Sequence, residues 1–381
     1  APGRHHGRPL GAAGPPGGHG QLDKVVQRAR PVEFLQSLAV VDARPGDYAA
    51  EPERVYLRAQ RAIGVSMIDQ YIPRNPLQMG SEGYEETERG ATTGASEIVA
   101  DGVATIAASF TSKFQNPAKT PFSFFVSPSY GTMGRIALKW VRTTWTDTSR
   151  NPRICFLYPD NKYGRDILAV CKDYAKKIGV DVGPDQVINW PTTDATVQLT
   201  NMSRYDPDYA YITSTAMNGA VILKNAKALG LRTKFISNIR NFEETLITLS
   251  GGAAEGSYGV HPIAPYGAPV PGMKKVVESH EKWHPGEKGT NVYVEGWVNI
   301  LSVTEALKMA DKAGDLTPSG IRNAFEKFNN FDTGGLAPPL TFTSTDHRAS
   351  MAAKIYEVKG NKFVAATDWI ELPRDQEYFG K

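Results

Sequence analysis

The segment RICFLYP at residues 153–159, followed by DNKYGRD at 160–166, is the clearest indication of the fold class. The first segment is apolar, as a buried strand is, and the second is a polar turn that leads into a helical pattern. The alternation repeats as far as Gly230, and repeats of this kind form parallel α/β sheets. Ligands of open α/β sheets bind beyond the carboxyl ends of the strands. Asp160, Asn161 and Tyr163 are therefore predicted to lie at a ligand site.

Length and charge narrow the class of protein. The chain has 381 residues, which is enough for two domains and a large core. Its 43 basic and 40 acidic residues leave a net charge of +3. This balance does not favour binding to nucleic acid or to an anionic membrane. No apolar run reaches the roughly 18 residues of a transmembrane helix.

The two cysteines and the first residue bear on the cellular compartment. Cys155 lies in the apolar strand and Cys171 on the apolar side of the next helix, so both are predicted to be buried thiols. A disulfide between them stays open as an alternative in an oxidising compartment. The chain begins at Ala1, as either a processed secreted protein or a trimmed product would.

Regular elements are predicted from Gly90 onward, where a turn, a short helix and a strand come first, and a further strand is predicted at FSFFVSPS from Phe122. Residues 1–20, rich in Gly, Pro, Arg and His, favour a flexible tail. Strands are predicted at 153–158, 186–190, 208–213, 233–237 and 258–263. Helices are predicted at 132–144, 164–178, 194–203, 217–229, 242–249, 273–283 and 292–313, with another that starts at Thr317. A hairpin with its turn at Lys359-Gly360-Asn361 is predicted near the C-terminus.

An ordered series of segments carries a resemblance to a known family. The segments are GATTGASE at 90–97, NPAKTPFSFFVSPSY at 116–130, FLYPDNKYGRD at 156–166, PDYAYITST at 207–215, AAEGSYGV at 253–260 and YVEGW at 293–297. Together they resemble the type I periplasmic solute-binding proteins of the branched-chain amino acid class, which serve ABC importers. The first 90 residues depart from the family pattern, although PLGAAGPPGGHGQ at 9–21 is similar to its first turn.

The resemblance implies an α/β fold of two Rossmann-like lobes with parallel central sheets, joined by a three-strand hinge. Lobe one is predicted to hold residues 1–130 and 262–339, and lobe two residues 131–261 and 340–381. The three crossings are expected near 127–131, 261–266 and 340–344. A ligand would lie between the lobes, and contacts to both would stabilise the closed form.

The implied function is that of a non-enzymatic receptor in the periplasm or another extracytoplasmic space, after cleavage of a signal peptide. It would capture a small carboxylate or amino-acid-like ligand and deliver it to the permease of an ABC importer. The resemblance implies no cofactor, no metal and no nucleic acid, and only a peripheral relation to the membrane.

The resemblance and the strand ends together define the candidate binding residues. Hydroxyls and helix-start N–H groups of lobe one suit a ligand carboxylate, and the aromatic ring of Tyr163 would close over the ligand from lobe two. The predicted set is His19, Thr93, Ser96, Ser109, Thr111, Tyr163, Ser214, Thr215, Asn238 and Arg240.

The chemistry of the ligand stays open at this point. Amino acid receptors of the family often place an acidic side chain near Asn238, but the local sequence SNIRNF has none before Glu243. A desolvated ammonium group needs a charged partner, so this absence weakens the amino acid hypothesis. Arg240 would suit a second carboxylate instead.

Two alternatives come from other classes. The same fold serves as the ligand-binding part of sensors and regulators. The segment HEKWH at 280–284 matches the H-E-x-x-H signature of zinc metallopeptidases. However, Pro285 ends this helix at once and lysines flank it, so the segment is predicted to be a solvated helix face.

Overall fold

The computed structural model describes residues 104–106, 109–374 and 377–379. The predictions for His19, Thr93 and Ser96 lie outside these residues. Among the described helices, none combines the length and the apolar character needed to span a bilayer.

A nine-stranded mixed sheet organises most of the described chain. Its strands are β3 Arg153–Pro159, β4 Asp181–Val182, β5 Gln186–Ile188, β6 Tyr209–Ile212, β7 Lys234–Ser237, β8 Tyr258–His261, β9 Ala352–Lys359, β10 Lys362–Ala365 and β11 Ile370–Glu371. The order across the sheet is β10-β9-β8-β7-β6-β3-β4, with β5 also on β3 and β11 on β9. Strands β3 to β8 pair in parallel, whereas β9 is antiparallel to its neighbours. A second, parallel pair joins β1 Thr105–Ile106 to β2 Ser123–Phe124.

Nine described α-helices connect and cover these strands. They are α1 Tyr130–Thr144, α2 Lys162–Arg165, α3 Leu168–Ile178, α4 Thr196–Ser203, α5 Ala216–Ala228, α6 Glu244–Ser250, α7 Met273–Trp283, α8 Asn291–Lys312 and α9 Pro318–Phe325. The α/β prediction is thus confirmed. The helix predicted at 164–178 is instead divided between α2 and α3, although Asp166 and Ile167 keep right-handed helical angles between them.

Apolar side chains fill both faces of the large sheet. One face buries the helices α1 and α3, and the other buries α4, α5 and α6. Cys155 and Cys171 are free and buried, and they belong to the clusters on opposite faces. Burial raises the pKa of each thiol to about 12, so both are inert structural side chains.

A separate core forms around β1, β2, α7, α8 and α9, and includes Phe124, Trp297 and Phe325. Phe342 and Ala349 also belong to it, and Thr341 N–H donates to the carbonyl of Ala349 at 2.8 Å. The lobe boundaries remain a prediction. This packing favours a third crossing that lies after Ala349 rather than near 340–344.

The C-terminal hairpin is confirmed. Lys359 pairs with Lys362, so the turn consists of Gly360 and Asn361. Both have positive φ, 59° and 58°, as the two-residue hairpin turn that follows the strand twist requires.

Candidate ligand-binding site

The turn after β3 presents Tyr163 at the carboxyl edge of the sheet. Asn161 caps α2, because its side-chain oxygen accepts from the N–H of Gly164 at 2.8 Å. Gly164 lies so close to Pro159 that an added Cβ would stand 2.1 Å from the Pro159 carbonyl oxygen. The tight turn therefore requires glycine there, and it fixes the direction of Tyr163.

The Tyr163 hydroxyl joins the ends of three neighbouring strands. It donates to the carbonyl oxygen of Ser214, which follows β6, at 3.1 Å. It accepts from Asn238 Nδ2, just after β7, at 2.5 Å. The amide oxygen of Asn238 accepts in turn from the N–H of Asn241 at 3.1 Å. The structure thus brings together three of the predicted residues.

The residues after β6 keep unused bonding capacity. The hydroxyl of Ser214 is buried and has no hydrogen-bond partner within the described part of the chain, and the same holds for Thr213. Thr215 follows as the residue that precedes α5, and its side chain makes no capping bond there. A buried hydroxyl gains from any partner that reaches it, so Ser214 can bond a ligand.

Four aromatic rings run in series beside these polar groups, and we call them the aromatic row. Phe110 lies 5.8 Å from Tyr130, Tyr130 lies 5.3 Å from Tyr163, and Tyr163 lies 6.4 Å from Trp190, all between ring centroids. Adjacent rings are tilted or edge-to-face, as the aromatic quadrupole favours.

Arg240 is the predicted residue with the strongest electrostatic partner. Its guanidinium donates to both oxygens of Glu295 on α8, at 2.9 and 2.8 Å. The side chains are only 12% and 6% exposed. The guanidinium also lies 4.8 Å from the ring centroid of Phe110, and its Nε donates to the Tyr130 hydroxyl at 3.4 Å. Arg240 and Glu295 thus form a bidentate and largely buried ion pair.

Two further carboxylates, those of Glu243 and Glu244, stand at the start of the helix that follows β7. Burial raises the pKa of Glu243 to about 7, and the nearby Arg240 opposes that rise. Burial also raises the pKa of Glu244, whose oxygens accept from the N–H of Asn291 at 3.0 and 3.1 Å. Glu243 thus lies close enough to Arg240, Glu244 and Glu295 for their charges to act on its carboxyl group.

One of the hydroxyl groups predicted to hold a ligand carboxylate, that of Thr111, binds a carboxylate of the chain itself. Thr111 Oγ1 donates to Asp166 at 2.6 Å, and Ser112 donates to the same carboxylate through its hydroxyl at 3.0 Å and its N–H at 3.3 Å. Burial raises the pKa of Asp166, and these hydrogen bonds oppose the rise. Ser109, two residues before Thr111, is half-buried. The roles of Ser109 and Thr111 toward a ligand stay predictions.

The HEKWH segment forms the end of α7. The helix stops at Trp283, and His280 is 4% exposed rather than solvated. Its ring lies 5.2 Å from Tyr266, 4.8 Å from Tyr293 and 5.5 Å from His284. In the described residues no three His, Cys, Asp or Glu side chains form a group able to hold a metal.

Comparison with known proteins assigns the class. The sequence profile of the periplasmic binding protein family matches residues 87–362, so the chain belongs to that family. Its members bind solutes outside the cytoplasm and are not enzymes, and the chain is a solute-binding receptor of this kind for a small molecule.

Individual relatives agree with this assignment. The Leu/Ile/Val-binding protein of Escherichia coli is 22% identical over 80% of this chain and 86% of its own length. A Thermus thermophilus branched-chain amino acid ABC transporter protein with bound valine superposes with a TM-score of 0.67, at 21% identity over 74% of this chain and 75% of that one. A Thermomonospora curvata fatty acid ABC transporter substrate-binding protein gives 0.65, at 20% over 73% and 71%. The type I periplasmic binding protein fold is therefore confirmed.

Sequence reasoning missed several residues that the fold brings to the site. Phe110, Tyr130 and Trp190 complete the aromatic row, and Glu295 supplies the acidic group that the segment after β7 lacks. Glu295 stands within YVEGW, a segment that already pointed to the family. Nothing in the local sequence indicated that it pairs with Arg240, because the two are 55 positions apart.

Proposed function

We propose that this receptor captures a small α-amino acid between two lobes and delivers it to the permease of an ABC importer in the periplasm or an equivalent space. The proposed ligand class rests on one observation, the buried ion pair of Arg240 and Glu295. The Escherichia coli relative is named for binding leucine, isoleucine and valine, and the Thermus structure contains bound valine. These ligands are all α-amino acids.

Charge balance supports a zwitterion over a simple carboxylate. A buried charge that loses its partner is costly, whereas an exchange of partners keeps both charges satisfied. The carboxylate of an amino acid can take the bonds of Arg240, and its ammonium can take those of Glu295. A carboxylate without an amine would bind Arg240 but leave the buried carboxylate of Glu295 without a cationic partner.

The polar ends of the strands would hold the rest of the ligand. Ser214 has a buried hydroxyl to offer, and Thr111 and Ser109 would face it from lobe one. Tyr163 would lie over the ligand and join its binding to closure, because the ring contacts Tyr130 at the predicted first crossing. The closed form would then dock on the permease.

Isothermal titration calorimetry with two matched pairs tests the ligand class. Valine is compared with 3-methylbutanoate, and phenylalanine with 3-phenylpropionate, which differ only by the ammonium. We expect at least one amino acid to bind about tenfold or more tighter than its partner. Glu295→Gln should remove most of this difference, and Glu278→Gln on the exposed face of α7 should not.

Two results would contradict the proposal in different ways. Equal binding of an amino acid and its deaminated partner would overturn the zwitterion and leave a carboxylate receptor. If no amino acid or carboxylate in a wider screen raises the melting temperature, both ligand classes are wrong for this receptor.

A further inference from the structure

Trp190 is an exposed aromatic residue at the rim of the candidate site. It comes two residues after β5, whose register with β3 places Ile188 opposite Pro159. The indole therefore stands beside the turn that carries Tyr163, and it meets that ring edge-to-face at 84°. Its side of the aromatic row is open, since Trp190 is 41% exposed.

The loop that carries Trp190 is firmly held. The N–H of Thr192 donates to Asn218 Oδ1 at 3.1 Å, and the N–H of Ala195 donates to Asn225 Oδ1 at 2.8 Å. Both asparagines lie on α5, which begins just after Ser214 and Thr215. A fixed aromatic surface loses little conformational entropy when it binds a partner.

We propose that Trp190 contacts the side chain of the ligand and selects an aromatic one. This inference rests on the proposed function, because it extends the same site. The polar groups that bind the charged end lie around Arg240 and Ser214, and the aromatic row leads from them through Tyr163 to Trp190. A phenyl ring can pack edge-to-face against the indole, whereas a short aliphatic side chain offers less area to it.

The same four probes test this inference through their side chains, because two of them carry a phenyl group and two an aliphatic one. Trp190→Ala should weaken phenylalanine and 3-phenylpropionate about tenfold, and should change valine and 3-methylbutanoate less than about threefold. Trp190→Phe keeps a ring and should retain most of the affinity. Trp283→Ala is the matched control, since Trp283 is 43% exposed on α7, and it should leave all four affinities unchanged.

Intrinsic fluorescence supplies a second readout. The emission change on phenylalanine binding should be lost in Trp190→Phe and persist in Trp283→Phe. Thermal melting of each variant checks that folding is intact, and replacement of an exposed indole should leave it so.

The outcomes separate the two proposals. If Trp190→Ala weakens phenyl and aliphatic probes equally, or neither, the selection is wrong while the receptor function stands. If valine binds and no phenyl probe does, the selection is again wrong. If none of the four probes binds, the aromatic selection is wrong, and the wider screen then decides whether the receptor binds another amino acid.

Discussion

Tyr163 connects three strand ends through one oxygen atom. Its hydroxyl donates to the Ser214 carbonyl and accepts from the Asn238 amide, and its ring is shared between Tyr130 and Trp190. The residue thus contributes by hydrogen bonding and by packing, and substitutions can separate the two contributions.

Tyr163→Phe should keep the packing and lose both hydrogen bonds. The buried Asn238 amide is then left without this acceptor, which typically costs about 1–3 kcal/mol. We expect a lower free energy of unfolding in urea denaturation and weaker binding of the preferred amino acid in calorimetry. Tyr205→Phe, on the other face of the sheet, is the matched control and should behave like the parent. Parent-like binding by Tyr163→Phe would mean that its hydroxyl does not shape the site.

At the scale of the element, α2 determines where Tyr163 stands. This helix has only four residues, too few to be stable on its own. Its position depends on the Asn161 cap and on the close approach of Gly164 to Pro159. A local change in this turn is therefore expected to affect binding more than global stability.

Asn161→Ala should remove the cap and let the turn relax. The loss of an N-cap typically destabilises a helix by about 1 kcal/mol. We expect ligand affinity to fall about fivefold, mostly through faster dissociation, as measured by surface plasmon resonance. Asn161→Asp keeps an acceptor for the Gly164 N–H and should bind like the parent. The idea fails if the alanine and aspartate variants have the same affinity.

At the scale of the whole molecule, carboxylates take part in polar contacts between the region of the large sheet and the rest of the described chain. Examples are Arg240 with Glu295, Asp166 with Thr111 and Ser112, and Glu244 with the N–H of Asn291. All of them place carboxylates in poorly solvated positions, and burial raises the pKa of Asp166 and Glu244. Protonation of these carboxylates is consequently coupled to the formation of the contacts.

Glu243 makes that coupling measurable. Burial raises its pKa from 4.5 to about 7, so over this pH range the folded state holds a proton that the unfolded state has released. The contribution of Glu243 to the free energy of unfolding therefore falls as pH rises from about 4.5 to about 7. His261 acts in the opposite sense, because burial lowers its pKa from 6.5 to about 4, and its contribution is lost as pH falls.

Glu243→Gln should remove the first effect and leave the second. We expect the variant to gain stability relative to the parent as pH rises from 5 to 8, measured as the difference between their urea denaturation curves. The His261 contribution cancels in this difference. Glu278→Gln on the exposed face of α7 should show no such trend. A difference that stays constant across this range would contradict the raised pKa.

Sequence patterns are enough to establish the α/β class, the order of the elements and the family. These follow from local information, because apolar runs, helix caps and turn residues such as Gly360 and Asn361 act over a few positions. The sequence also placed Tyr163, Ser214 and Asn238 at strand ends, since parallel strands in adjacent positions bring their carboxyl ends to one edge.

Which side chains meet at that edge depends instead on tertiary packing. The Glu295 carboxylate reaches Arg240 from a helix more than 50 residues away, the Asp166 carboxylate takes the hydroxyl of Thr111, and Trp190 completes the aromatic row from a loop. Such contacts depend on how separate elements pack, and periodicity within one element carries no information about its distant partners. The fold can therefore be predicted from local sequence patterns, whereas the partners of the charged groups in the site are known only once the elements have packed.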